Sequence, residues 1–364
     1  MPVVLRGFQT VRLLGRGGMG EVWLVVRREG AFVRSYALKR LRKDLRSNRP
    51  AQVAFVDEAR VAGLLYHPNV VRVFDVGSDD DGPYMLMEHI DGMSLTQILR
   101  KCSEEEWDVP AAVAFELMRD VALGLQAAHE GTDMGGQRLE MIHRDLSPEN
   151  VLVGFDGVAR LADFGIAKAL GRATETTRAI LKGKVGYMAP EVLRYEQPNQ
   201  RSDLFSFGVV LFELLAGRRL YGGDDAVPRI LEEPQPDLLE ERPDVPSEAV
   251  ALLFGLLAKR PEDRPQSARV VVHQLERAMA TLAADGELIL AREFMASLAN
   301  PTHDTVVQGV DSASMVPNTG SFSGPPPDRE VATPIATAPR RITAIETPAA
   351  KRRRRGPGSS GSRS

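Results

Sequence analysis

Apolar positions recur at two different spacings along this chain, and the change from one to the other divides it. Between about residues 8 and 90 the apolar runs are short, β-branched or aromatic, and bounded by glycine or charge. Val22-Trp23-Leu24-Val25-Val26, Tyr36-Ala37-Leu38-Lys39 and Tyr84–Met87 each predict a strand. One helix is expected among them near 50–65, where Phe55, Ala59, Ala62 and Leu65 form a single apolar stripe. From about 94 to 298 the spacing is mainly helical, interrupted by a hairpin signal at Gly154-Phe155-Asp156-Gly157. The order predicts an α+β chain, a small β-rich lobe with one key helix joined near Glu88–Gly92 to a larger, mainly helical lobe.

After Asn300-Pro301 the periodicity stops, and Pro, Ser, Thr, Gly and Ala dominate. Such a segment buries too little apolar surface to offset its conformational entropy, so disorder is expected there. The expected domains are 8–89, 90–283, a helical extension at 284–299 and a tail at 300–364. No internal repeat is present.

Composition excludes several classes. The 46 Lys+Arg nearly balance 49 Asp+Glu, a formal net charge of −3 that offers no global basic field for nucleic acid. A single cysteine, Cys102, rules out an intramolecular disulfide framework and fits a reducing compartment. The first residues lack the charged-then-apolar layout of a signal peptide. The most apolar helical run, Ser206 to Ala216, contains Glu213 and is too short to span a bilayer. These features together predict a cytoplasmic chain without a membrane span.

Three stretches carry candidate chemistry. Gly15, Gly17 and Gly20 are followed by the β-branched run at Val22 rather than by a helix, so they belong to a hairpin turn. That turn either lies over phosphates or is an ordinary glycine-rich hairpin. Lys39 ends a strand, and Glu58 shares a helical face with Phe55 and Ala62. A buried carboxylate there needs a cation, and Lys39 is the natural one; the alternative places Glu58 at the stripe's solvent edge. Finally, IHRDLSPEN runs into VLVGFDGVARLADFG, which sets Asp145, Asn150 and Asp163 around one hairpin. Two oxygen donors and a hydroxyl-orienting carboxylate in that arrangement suit Mg²⁺ and a nucleoside triphosphate.

With these stretches in order, residues 8–280 resemble a eukaryotic-like (Hanks-type) serine/threonine protein kinase of bacterial kind. The resemblance also rests on Ala189-Pro190-Glu191, on Ser202-Asp203 through Gly208, and on the late Arg264. It implies the bilobal protein kinase fold and transfer of the ATP γ-phosphoryl group to protein Ser or Thr hydroxyls, with activation by autophosphorylation. It assigns Lys39 and Glu58 to a phosphate-orienting ion pair, Asp145 to the substrate hydroxyl, and Asn150 and Asp163 to Mg²⁺ or Mn²⁺. The nucleotide site implied is Leu14, Gly15, Gly17, Gly20, Val22, Ala37, Met87, Glu88, Ile90 and Leu152. Glu191 with Arg264 would anchor the activation segment, and Asp203 would hold the catalytic loop from beneath.

The chain departs from the family pattern at two positions. Ser147 stands where a lysine is usual, and Lys184 stands where a threonine is usual. Lys184 is therefore expected either to reach back to the γ-phosphate beside Asp145 or to be a solvated surface lysine. Arg144 before Asp145 implies control by phosphorylation, for which Thr174, Thr176 and Thr177 are the candidates. The glycine-bearing insertion between His129 and Ile142 reads as a neutral surface turn.

In the tail, Lys351–Arg355 forms a basic cluster suited to weak contact with an anionic surface, or to simple solvation, and no anchor is expected after it. Two other functions compete. A pseudokinase scaffold would require loss of Lys39, Asp145, Asn150 or Asp163, and a small-molecule phosphotransferase would lack the Ala-Pro-Glu element with its paired arginine. All of these are present.

Overall fold

The structure, a computed structural model, describes residues 5–299 except 133–135, 139, 165–183, 236, 287 and 288. The small lobe is built on β1 (Gln9–Arg16), β2 (Gly20–Glu29), β3 (Phe32–Leu41), β4 (Val73–Asp79) and β5 (Gly82–Glu88). They form one antiparallel sheet in the order β1-β2-β3-β5-β4. The alternation read in β3 is the reason: Ala37 and Leu41 enter one core and Leu38 enters another, on opposite faces of the strand.

The predicted helix is α1 (Arg49–Ala62), opened by Asn48, whose side chain accepts the N–H of Ala51 at 3.1 Å. It ends at Ala62, three residues short of the expected end, yet Leu65 remains buried in the turn that follows. Phe55 and Ala59 pack against Ala37, Leu41, Met85 and Met87, which fixes α1 across the sheet.

A short second sheet, β6 (Gly92–Ser94), β7 (Val151–Gly154) and β8 (Ala159–Leu161), follows the joint. Backbone bonds from Val71 N–H to Leu161 and from Leu161 N–H to Asn69, 2.8 and 2.9 Å long, tie the small lobe's connector to β8. The large lobe comprises α2 (Leu95–Glu104), α3 (Ala111–Glu130), α4 (Pro190–Leu193), α5 (Gln200–Ala216), α6 (Ala226–Glu232), α7 (Leu238–Glu241), α8 (Ser247–Leu256), α9 (Ala268–Asp285) and α10 (Ala291–Leu298). At its centre, α5 is buried nearly all round, with Leu204, Phe205, Phe207 and Phe212 fully enclosed. No helix among the described residues is long and apolar enough to cross a membrane.

The expected boundary at 283 falls inside α9, which continues to Asp285. Beyond it α10 folds back onto the large lobe and buries Ala291, Phe294, Met295 and Leu298. Its ends are pinned by Glu116, which accepts the N–H of Ala291 at 2.8 Å, and by Lys101, which donates to the carbonyl of Leu298 at 2.6 Å.

Candidate active site

The glycine turn joins β1 and β2, with Gly17 N–H donating to the carbonyl of Gly20 at 2.8 Å. A side chain at Gly20 would meet the Arg40 carbonyl at 3.0 Å and the Lys39 stem at 3.5 Å, so this glycine lets the turn lie close over β3. Around the joint, Leu14, Val22, Ile90 and Leu152 pack against Ala37 and Met87, so residues of both lobes line one apolar surface. Glu88 follows Met87 at the end of β5, and its N–H donates to the Arg72 carbonyl at 2.8 Å.

Lys39 Nζ lies 2.7 Å from Glu58 Oε1 and 2.7 Å from Asp163 Oδ1. Glu58 is thus an inward-facing partner, not a residue at the solvent edge, its side chain only 12% exposed. Burial opposes the charge on Lys39, but the carboxylates of Asp163 and Glu58 outweigh it and hold the ammonium above its ordinary pKa.

The loop that carries His143, Arg144 and Asp145 is held from below. Asp203, in the first turn of α5, accepts the N–H of His143 at 2.8 Å and that of Arg144 at 2.9 Å. Arg144 takes a φ of 63°, a left-handed conformation that a non-glycine residue keeps only where its surroundings impose it. His143 is wholly buried, and burial pushes its pKa down. The neutral ring donates from Nε2 to the Ala162 carbonyl at 3.2 Å and accepts the Asp145 N–H on Nδ1 at 3.3 Å, a tautomer assigned from these partners.

The Asn150 amide donates to the Asp145 carbonyl at 2.8 Å and to Asp145 Oδ2 at 3.1 Å. The Asn150 carbonyl in turn accepts the N–H of Ala162 at 2.9 Å. Asp163, with a φ of 55°, therefore begins one residue beyond a position bonded to Asn150. This brings Asp145, Asn150, Asp163, Lys39 and Glu58 into one connected set.

Asn150 and Asp163 suit a divalent ion. Among the described residues no group of three or more His, Cys, Asp or Glu could hold a metal alone. An amide oxygen and a carboxylate form a partial oxygen shell, which fits Mg²⁺ because it keeps waters and phosphate oxygens as its other ligands.

Lys184 is not a solvated surface lysine. Its Nζ lies 2.9 Å from Asp145 Oδ2 and 3.6 Å from Glu149 Oε2. Burial opposes its charge, but the Asp145 carboxylate, bonded to it, raises its pKa. Ser147 is 2% exposed, and its Oγ has no hydrogen-bond partner among the described residues.

Further out, Arg264 makes a two-bonded contact with Glu191, both bonds 2.8 Å, and Ser202 Oγ donates to Glu191 Oε1 at 2.6 Å. Two partners were missed in the sequence. His129 Nε2 meets Asp203 Oδ2 at 2.8 Å, and Tyr187 donates to Glu213 at 2.8 Å. In the sequence Glu213 is only a break in an apolar run, and its counterpart, 26 positions away, carries no local signal. Thr174, Thr176, Thr177, Gly165, Gly183 and the basic cluster of the tail lie outside the described residues, as does part of the insertion before Ile142.

A sequence profile of the protein kinase domain matches residues 8–275. The chain is 36% identical over 270 residues to the tyrosine-protein kinase MasK of Myxococcus xanthus, covering 73% of this chain and 42% of that protein. It is 32% identical to the serine/threonine-protein kinase PrkC of Bacillus subtilis, covering 72% and 39%. Among solved structures it is similar to the Mycobacterium tuberculosis PknI kinase domain, with a TM-score of 0.57 at 27% identity over 76% of this chain and 98% of that one. The chain spans about two fifths of the length of these curated relatives.

Proposed function

The chain belongs to the protein kinase family, and on that premise we propose that it is an ATP-dependent protein kinase that phosphorylates serine and threonine hydroxyls. The observation that carries this reading is the single set formed by Lys39, Glu58, Asp163, Asn150 and Asp145, in which every charged side chain is already oriented by a partner. The apolar surface of Leu14, Val22, Ala37, Met87, Ile90 and Leu152 receives the adenine, and the peptide groups of Glu88 and Ile90 meet its edge. The turn at Gly15, Gly17 and Gly20 lies over the phosphates.

Lys39, aimed by Glu58, neutralises phosphate oxygens, and Asp145 orients the acceptor hydroxyl and takes its proton. Asn150 and Asp163 would hold a divalent ion, which would supply neutralisation of phosphate charge. Positioning and charge stabilisation do most of the work, since the transferred group passes through a loose transition state. The oriented set argues against a pseudokinase scaffold. Activation by phosphorylation at Thr174, Thr176 or Thr177, with Arg144 receiving the phosphate, belongs to the same reading.

The test is incorporation of label from γ-labelled ATP by purified protein. Asp145→Asn and Asp163→Ala should each slow it by about 10²- to 10⁴-fold. Undiminished labelling in either variant would end the assignment. Phosphoamino-acid analysis of the wild-type product separates serine and threonine from tyrosine, the residue type in the name of the Myxococcus relative.

A further inference from the structure

The turn Asp145-Leu146-Ser147-Pro148-Glu149-Asn150 contains two carboxylates and no lysine or arginine. A γ-phosphoryl group brought to Asp145 adds negative charge beside those carboxylates, so the step needs a cation there. Lys39 is committed to Glu58 and Asp163. Among the described residues the cation seen on Asp145 is Lys184, at 2.9 Å, and it comes from the chain that leads through Val185–Tyr187 into α4. Its side chain is 18% exposed and also faces Glu149 at 3.6 Å.

The middle of the turn offers only a hydroxyl. Ser147 is buried and its Oγ is unpartnered, an arrangement that costs free energy unless a ligand or a moved side chain completes it. Lys184 is bonded to Asp145 and Ser147 follows Asp145 by two residues, one with a charge to deliver and one with a hydrogen bond to make.

We propose that Lys184 is a catalytic residue whose ammonium, stored on Asp145, contacts the γ-phosphoryl group of bound ATP. The proposal rests on the phosphoryl-transfer reading above. In the step, the acceptor hydroxyl oxygen bonds to the γ-phosphorus while the bond from that phosphorus to the bridging oxygen breaks. The bond's electrons leave on ADP, and the hydroxyl proton passes to Asp145. Lys184 keeps its protons throughout and stabilises the charge on the transferred oxygens. Because this cation is carried by the segment entering α4 and not by the turn itself, discrimination of ATP from ADP depends on where that segment lies.

The experiment compares equilibrium binding of ADP and of the non-hydrolysable β,γ-imido analogue of ATP, with magnesium, in wild type, Lys184→Met, Lys184→Arg, Lys184→Thr and Lys184→Thr combined with Ser147→Lys. Lys184→Met should weaken the triphosphate analogue about tenfold or more while leaving ADP nearly unchanged, and should lower turnover about 10²-fold. Lys184→Arg, and the combined variant relative to Lys184→Thr alone, should recover part of both losses.

An unchanged triphosphate-to-diphosphate ratio in Lys184→Met, with wild-type turnover, would overturn the proposal while leaving the kinase reading intact. Equal weakening of both nucleotides would also overturn it, since a γ-phosphate contact cannot act on ADP. Wild-type protein that binds neither nucleotide would overturn the kinase reading itself.

Discussion

Asp203 Oδ1 accepts the N–H of Arg144 at 2.9 Å, and Arg144 holds a left-handed φ of 63° directly before Asp145. A buried carboxylate on α5 thereby sets the backbone of the residue next to the proposed base. Asp203→Asn leaves the volume intact but can no longer accept at both oxygens. It should cost about 1–3 kcal/mol, because buried donors lose their acceptor. Turnover should fall on the order of 10²-fold through misplacement of Asp145. Denaturant unfolding and steady-state kinetics on the same preparation check both halves.

Glu58 is bonded to Lys39 at 2.7 Å, and its proposed part is only to aim that lysine. Glu58→Gln should therefore lower kcat/KM on the order of 10²-fold, less than Lys39→Met does, since Asp163 still holds the lysine. Equal losses in the two variants would show that Glu58 does more than orient.

Glu191 and Arg264 are almost fully buried, at 2% and 0% side-chain exposure. Removing one partner, as in Arg264→Met, should cost roughly 3–5 kcal/mol because an uncompensated charge remains. Burial opposes ionisation of Glu191, but hydrogen bonds from Arg264 and Ser202 outweigh it and depress its pKa. The unfolded chain therefore takes up this proton first as pH falls. The stabilisation is complete above the ordinary value of 4.5 and disappears as pH drops through the lower folded value. Thermal unfolding of wild type and Glu191→Gln should differ most above the ordinary value of 4.5, and the difference should shrink as pH falls below it.

The match to the kinase profile stops at residue 275, yet α10 buries Met295 completely. Met295→Ala should destabilise the protein by about 2–5 kcal/mol, the range for truncating a core side chain. A cost below about 1 kcal/mol would show α10 to be only loosely docked.

Much of this site was legible because its signals are local. The glycine turn followed by a β-branched run, the inward stripe that includes Glu58, and the spacing of Asp145, Asn150 and Asp163 each occupy a short stretch of chain. Tertiary pairing decided the rest. His129 and Asp203 are 74 positions apart and Tyr187 and Glu213 are 26 apart, and in each case one member looked like an ordinary polar residue on a helix. The docking of α10 was equally hidden, since its apolar stripe shows that it packs but not where. Lys184 lay between these cases: its departure from the family pattern marked it, but only the 2.9 Å contact chose between surface lysine and partner of Asp145.

Phosphoryl transfer at Asp145 is tested most directly by acid hydrolysis of protein incubated with γ-labelled ATP and magnesium. Label on phosphoserine or phosphothreonine in the wild type, with Asp145→Asn reduced to about one hundredth or less, is the predicted result. Wild-type protein that takes up no label, or an Asp145→Asn variant that labels equally well, would contradict it.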